Sequence, residues 1–167
     1  MSNGLFTWLL TLFVVNLGIA FGAGLYEHRI VVPDWIEMSP DGVHWNADAA
    51  RDHDTGRRFW VFVTTIPLTL LTIANTYAAW HAPGALRTWW LASAFAAAAD
   101  RVFTFLYFIP TMIALANAPD SPGAVAAATR WSQLNNVRHA IVLVAWLAAL
   151  RAFAMLHAMS VGHGHEA

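Results

Sequence analysis

Four apolar runs, at about residues 5–28, 58–80, 86–116 and 122–158, take up almost all of a 167-residue chain. Each is long enough to cross the roughly 30 Å of hydrocarbon in a bilayer, which needs about 20 residues as helix. A backbone in hydrocarbon must satisfy its own hydrogen bonds, and runs of this length do so as helices. The link His81-Ala82-Pro83-Gly84 and the reversal Asn117-Ala118-Pro119-Asp120-Ser121-Pro122 are short enough to force antiparallel neighbours. The expected fold is all-α: a single-domain, up-and-down four-helix transmembrane bundle, with the long first loop capping one end. The first run has neither a positive leader nor a small-residue cleavage site, so it is expected to stay as a span.

The polar exceptions to this pattern are concentrated. Asp100-Arg101 sits in the middle of the third run, where either charge alone costs at least a few kcal/mol unless it pairs or lines a cavity. The fourth run opens with Arg130-Trp131-Ser132-Gln133-Leu134-Asn135-Asn136-Val137-Arg138-His139, in which Trp131, Asn135, Arg138 and Val142 recur at helical spacing. Counting outward from the 117–122 turn places Asp100 level with Arg138 and Tyr107 level with Trp131, while Asp100, Thr104 and Tyr107 share a face. In the first run, Asn16, Ala20, Ala23 and Glu27 form one stripe ending in Glu27-His28-Arg29, beside small residues (Gly18, Gly22, Gly24) that let a neighbour approach. Up-and-down topology brings Glu27, His28, Arg58, Trp60, Asp100, Arg101, Tyr107, Asn135, Arg138 and His139 to one half of the molecule and leaves the other nearly featureless. The second run carries Pro67, which predicts a kink. Its Thr64, Thr65, Thr69, Thr72 and Asn75 imply a face turned to protein or a cavity, although any single threonine is expected to bond back to its own helix. Asn75 joins the candidate ligand-lining residues.

The chain has no cysteine, so thiol redox chemistry, thiolate metal sites and paired-cysteine quinone reductases are excluded. All nine basic residues are arginine and the net charge is −1, which points to neither nucleic acid nor a polybasic lipid patch. Arg29, Arg51, Arg57, Arg58 and Arg130 lie on one side against Arg87 and Arg151, so by the positive-inside rule both termini face away from the cytoplasm. The all-arginine, alanine-rich usage has the look of a GC-rich bacterial genome and hence of an inner membrane. The first loop should turn at Pro40-Asp41-Gly42 and hold a short helix capped by Asn46. Its Trp35 and Trp45 suit the headgroup level, while His44, His53, Asp48, Asp52 and Asp54 match no metal-site spacing. His157, His163, His165 and Glu166 form a tail expected to bind metal only adventitiously.

The pattern Trp131-x-x-Leu134-Asn135-x-Val137-Arg138, the segment Tyr107-Phe108-Ile109-Pro110-Thr111 and the four-span layout with one long first loop resemble the anthrone oxygenase-like family. The resemblance implies oxidation of an anthrone-like aromatic to a quinone by dioxygen, without flavin or haem. Such chemistry needs one base, for which Asp100, Glu27, His28 and His139 are candidates, and an oxyanion stabiliser, for which Arg138 and Asn135 are. Trp60, Tyr107 and Trp131 would stack on flat rings, with Arg58, Arg101 and Asn75 as further contacts.

Three other classes compete. A carrier for a hydrophobic small molecule would use the same pocket without a base. A metalloenzyme would hold its ion with Glu27, His28 and His139. A structural network would pair Asp100 with Arg138 or Arg101 and do no chemistry. Proton-coupled transport ranks last, because four spans without an internal repeat offer little for alternating access short of a homo-oligomer, which the sequence leaves open.

Overall fold

The computed structural model describes residues 3–52 and 54–162. Four helical segments, Gly4–Trp35, Gly56–Trp80, Gly84–Ala116 and Pro122–Met159, are long and apolar enough to cross a membrane. They form the expected bundle: the first packs on the second and fourth, and the third on the second and fourth, closing a ring of neighbours. Large apolar side chains such as Trp8, Phe62, Leu70, Ile73, Leu106 and Val144 point outward, as lipid-facing surface does. In one half the interior is dry and apolar, with Leu10, Phe13, Leu17, Leu68, Trp90 and the alanines 78, 145, 149 and 152 packed together. Close approach there comes from the small residues: a Cβ on Gly18 would lie 3.2 Å from the Trp146 ring.

The hairpin of the third and fourth spans has the register counted from its turn. Ser93 Oγ donates to Ala145 O at 2.7 Å, and Trp131 Nε1 to Phe108 O at 3.3 Å. The threonines of the second span bond back as expected, Thr64 to Trp60 O, Thr69 to Thr65 O and Thr72 to Leu68 O.

The helices are not regular throughout. Glu27–Val31, Gly56–Thr65 and Thr104–Phe108 are wide, π-helical turns, and all three lie in the same half of the bundle. Each adds a residue to the turn and so shifts the phase of the residues beyond it. Pro67 stands just past the second of them. It has no N–H to give to the carbonyl four residues back, and that carbonyl, Val63 O, is taken instead by Asn16 Nδ2 at 2.8 Å. The buried amide of the first span thus offsets the bond the proline removes.

The first span also runs further than residue 28. After its π turn a 3₁₀ turn, Val32–Trp35, carries it to Trp35, so Val31, Val32 and Trp35 are buried wall and not connection. The remaining loop contains an unexpected antiparallel hairpin, β1 (Ile36–Ser39) and β2 (Gly42–Trp45), with Ile36 opposite Trp45. Strands of four residues are too short to show alternation in a sequence. Gly42 sits at φ 146°, where a side chain would be strained. The helix Ala47–Asp52 comes next, its Ala49 N–H capped by Asn46 Oδ1 at 2.8 Å as expected.

This cap is fastened to the turn between the third and fourth spans. Trp45 Nε1 donates to Leu115 O at 3.1 Å, Arg51 Nη1 to Ala116 O at 2.6 Å and Trp45 N to Asp120 Oδ1 at 2.7 Å. His44 Nδ1 lies 2.7 Å from Asp120 Oδ2. The Asp120 carboxylate holds the His44 pKa above its ordinary value, and the Trp45 N–H, followed by His44, holds that of Asp120 below its own. His53, His163, His165 and Glu166 lie outside the described residues.

Candidate functional site

The polar half is built from the first span inward. Glu27 is 6% exposed, and its Oε1 accepts Thr55 Oγ1 at 2.6 Å and Trp60 Nε1 at 2.8 Å. That ties the start of the second span to the end of the first and occupies one carboxylate oxygen with two donors. His28 is next on the same π turn, and its Nδ1 is enclosed without a protein partner.

The third span supplies Asp100, with no exposed surface, and Arg101, 9% exposed. They pair with each other: Arg101 Nε donates to Asp100 Oδ2 at 3.0 Å and Nη2 bonds the same oxygen. Asp100 Oδ1, Arg101 Nη1 and the nearby Thr104 Oγ1 have no protein partner. A buried pair with open valences on both members is costly unless something else fills them.

The fourth span presents Asn135, fully buried, and one turn later His139, 6% exposed. Both amide atoms of Asn135 and both ring nitrogens of His139 lack a protein partner. Buried polar atoms in native proteins are almost always bonded, to protein, water or ligand, and four orphans on one helix face mark a place built to receive one of the last two. Arg138 flanks them, its guanidinium 4.6 Å from the centre of the Phe108 ring and 5.8 Å from that of Trp60. Among the described residues no carboxylate oxygen lies within 4.0 Å of it. The charges that act on Arg138 are those of Asp100, Glu27 and Arg101, and those on His139 are Arg138 and His28. Six ionisable groups from three spans therefore share one interior.

Several expected placements change. The partner of Asp100 is its neighbour Arg101 and not Arg138, because the adjacent guanidinium folds straight back onto the carboxylate. Tyr107 is half-buried against Phe103 and Phe108, and the π turn at Thr104–Phe108 rotates Phe108 into the face the sequence assigned to Tyr107. On the fourth span it is His139 that continues the face of Trp131, Asn135 and Val142, with Arg138 at its edge. Arg58 is exposed. Asn75 belongs to the other half, where it donates to Leu71 O at 2.8 Å and accepts Trp90 Nε1 at 2.9 Å. Glu27, His28 and His139 do not form a metal cage: among the described residues no three histidine, aspartate or glutamate groups are placed to hold an ion.

The sequence also left out Phe108, Thr55 and Trp35. Trp35 packs 5.5 Å from Trp131, and Phe108 5.4 Å from it, making an aromatic floor between the cap and the polar interior. The odd tryptophan content of the first loop was the available signal for Trp35. For Phe108 and Thr55, whose placement depends on the π turns, there was none.

Gly24 gives His139 its room: a Cβ there would come within 2.6 Å of His139 Nε2. Outside the interior, a cleft of about 390 Å³ is lined by His28, Arg29, Val32, Pro33, Ile36 and Ser132. Taken together, a flat aromatic cage, a cation without a carboxylate, an amide and two imidazoles form a chamber suited to a flat ring system bearing an oxygen. Compared with protein families, curated proteins and solved structures, the chain matches none.

Proposed function

We propose that this protein is a membrane-embedded oxygenase acting on a lipophilic, anthrone- or hydroquinone-like aromatic with dioxygen as co-substrate. The observation that carries the proposal is the set of unpartnered atoms on Asn135 and His139, beside a guanidinium seated on aromatic rings. The family resemblance of the 131–138 and 107–111 segments supports the same reading.

In the reaction, His139 takes a proton from the carbon opposite the substrate carbonyl. Glu27 is less suited as base, since one of its oxygens already accepts two hydrogen bonds, and Asp100 is held by Arg101. The charge left behind spreads onto the carbonyl oxygen, where Asn135 Nδ2 and Arg138 stabilise it. The electron-rich ring passes an electron to dioxygen, and the two radicals combine to a peroxide that recovers the proton from His139. Removal of the second proton from the same carbon breaks the O–O bond, forming the quinone carbonyl and hydroxide, which the returned proton makes water. One anthrone and one dioxygen thus yield one quinone and one water.

The site would sit in a bacterial inner membrane, the termini away from the cytoplasm, as the arginine distribution and composition indicate. Oxygen uptake by the reconstituted protein on adding 1,8-dihydroxyanthrone tests the proposal. Uptake should be abolished by Arg138→Ala and reduced by Asp100→Ala, which frees Arg101. Saturable binding of the anthrone with no uptake would replace the oxygenase by a carrier.

A further inference from the structure

Two histidines from different spans meet where the chamber approaches the surface. The rings of His28 and His139 are 5.6 Å apart, centre to centre, at 77°, edge against face. Gly24, one turn before His28 on the same span, leaves out the side chain that would collide with His139. Both nitrogens of His139 and Nδ1 of His28 are enclosed and bonded to no protein atom. The rings are therefore not hydrogen-bonded to each other, yet they stand close enough for a single bridging oxygen. Water bridges of that kind are the usual remedy for buried polar atoms left over by a fold.

His28 also faces outward. With Arg29, Val32, Pro33, Ile36 and Ser132 it lines the cleft of about 390 Å³ at the point where the first span leaves α geometry. It is thus the one side chain that borders both spaces described here. Arg138 on the fourth span and Glu27 and Arg29 on the first flank it, and the Glu27 Oε1 that could compete for its proton is engaged by Thr55 and Trp60.

We infer that His28 and His139 form a proton relay that connects the buried chamber with bulk water through this cleft. A neutral imidazole accepts a proton on its bare nitrogen and releases one from the other, so a proton passes from His139 through the bridging oxygen to His28 and then to water. No other bond changes and nothing is oxidised. What the relay serves rests on the oxygenase reading: a His139 left protonated cannot deprotonate the next substrate, and the relay returns it to the neutral base between turnovers. His28 is accordingly a positioning and transfer residue, not one that touches substrate.

The experiment reads exchange of the His139 ring N–H with bulk water by nitrogen-15 NMR, on the full chain in micelles without substrate. The native chain should exchange fast enough to broaden that signal. His28→Phe, of similar size but unable to carry a proton, should slow the exchange at least tenfold and sharpen it. Ser132→Phe, which plugs the cleft from the opposite wall, should slow it in the same direction and stands independently if the first variant does not fold. In His28→Ala, added imidazole should restore most of the native rate. An unchanged His139 exchange rate in a folded His28→Phe or Ser132→Phe protein overturns the relay. So does a native His139 N–H that exchanges no faster than in those variants. Because no substrate is present, fast exchange combined with a lack of anthrone-dependent oxygen uptake leaves the relay standing and removes the oxygenase.

Discussion

Two asparagines, both fully buried and both facing the interior of the bundle, have opposite fates. Asn75 accepts Trp90 Nε1 and donates to Leu9 O and Leu71 O, so its amide is satisfied inside regular helix. Asn135 has no protein partner at either amide atom. Tryptophan shows the same contrast: the indole N–H of Trp90 is bonded, and that of the buried Trp35 is not. The chain is therefore able to satisfy a buried amide and does so in one half only. The orphans of the other half belong to a place, and that place coincides with the three π turns. Sites of ligand chemistry are where folds tolerate both.

Substitution at the two asparagines tests the contrast most strongly. Asn135→Leu should lower anthrone-dependent oxygen uptake by about 100-fold or more, as loss of an oxyanion donor does. It should leave the melting temperature unchanged or higher, because an unsatisfied amide is replaced by hydrocarbon. Asn75→Leu should do the reverse, costing roughly 1–3 kcal/mol of stability by stranding the Trp90 N–H, with uptake per folded molecule retained. If Asn135→Leu proves the more destabilising of the two, the division of the molecule into a structural and a receiving half is wrong.

The glycines sharpen the comparison at smaller amplitude. A methyl group at Gly24 meets His139 Nε2 at 2.6 Å and one at Gly18 meets the Trp146 ring at 3.2 Å. Gly24→Ala should cost about 1–3 kcal/mol and displace His139, visible as a changed ring-nitrogen shift, while Gly18→Ala should cost less than about 1 kcal/mol and leave His139 in place. Thermal melts and histidine NMR on the same samples distinguish the two.

The smallest effect concerns the cap. His44, raised above its ordinary 6.5 by Asp120, contributes fully below that value and less as pH rises through its folded pKa. Asp120, held below its ordinary 3.8, contributes above that value and less as pH falls through its folded pKa. The latch should thus hold best between 3.8 and 6.5. The difference in amide protection of residues 42–45 between native protein and His44→Gln, followed against pH, should peak in that window; a flat profile would mean that Trp45 and Arg51 hold the cap unaided.

The bundle and its hairpin register were legible because they rest on long-range hydropathy and on counting from a short turn: Ser93 against Ala145 and Phe108 against Trp131 come from the turn alone. The convergence of Glu27, Asp100, Asn135 and His139 was legible for the same reason. What the sequence hid was phase. A wide turn moves the downstream side chains around the helix without changing the composition, so Tyr107 was expected where Phe108 stands. Asn75 was misplaced because a polar residue on a span is equally consistent with a cavity and with an indole partner one helix away. The Asp100–Arg101 contact was weighed only as an alternative, since neighbours in a helix point in different directions until a long guanidinium curls back.

The wide turn at Thr104–Phe108 sets a rule for how this chain can change length. Removing one residue there would leave enough backbone for an ordinary turn, so the helix would survive the deletion. Relative to its upstream part, however, the downstream part would be rotated by about 100° from its present phase. The aromatic floor beneath Trp131 would then turn toward lipid. Single-residue gaps in this segment should therefore be easy to fold and hard to keep active, whereas the same gap in the regular stretch at 84–103 should disrupt the fold itself.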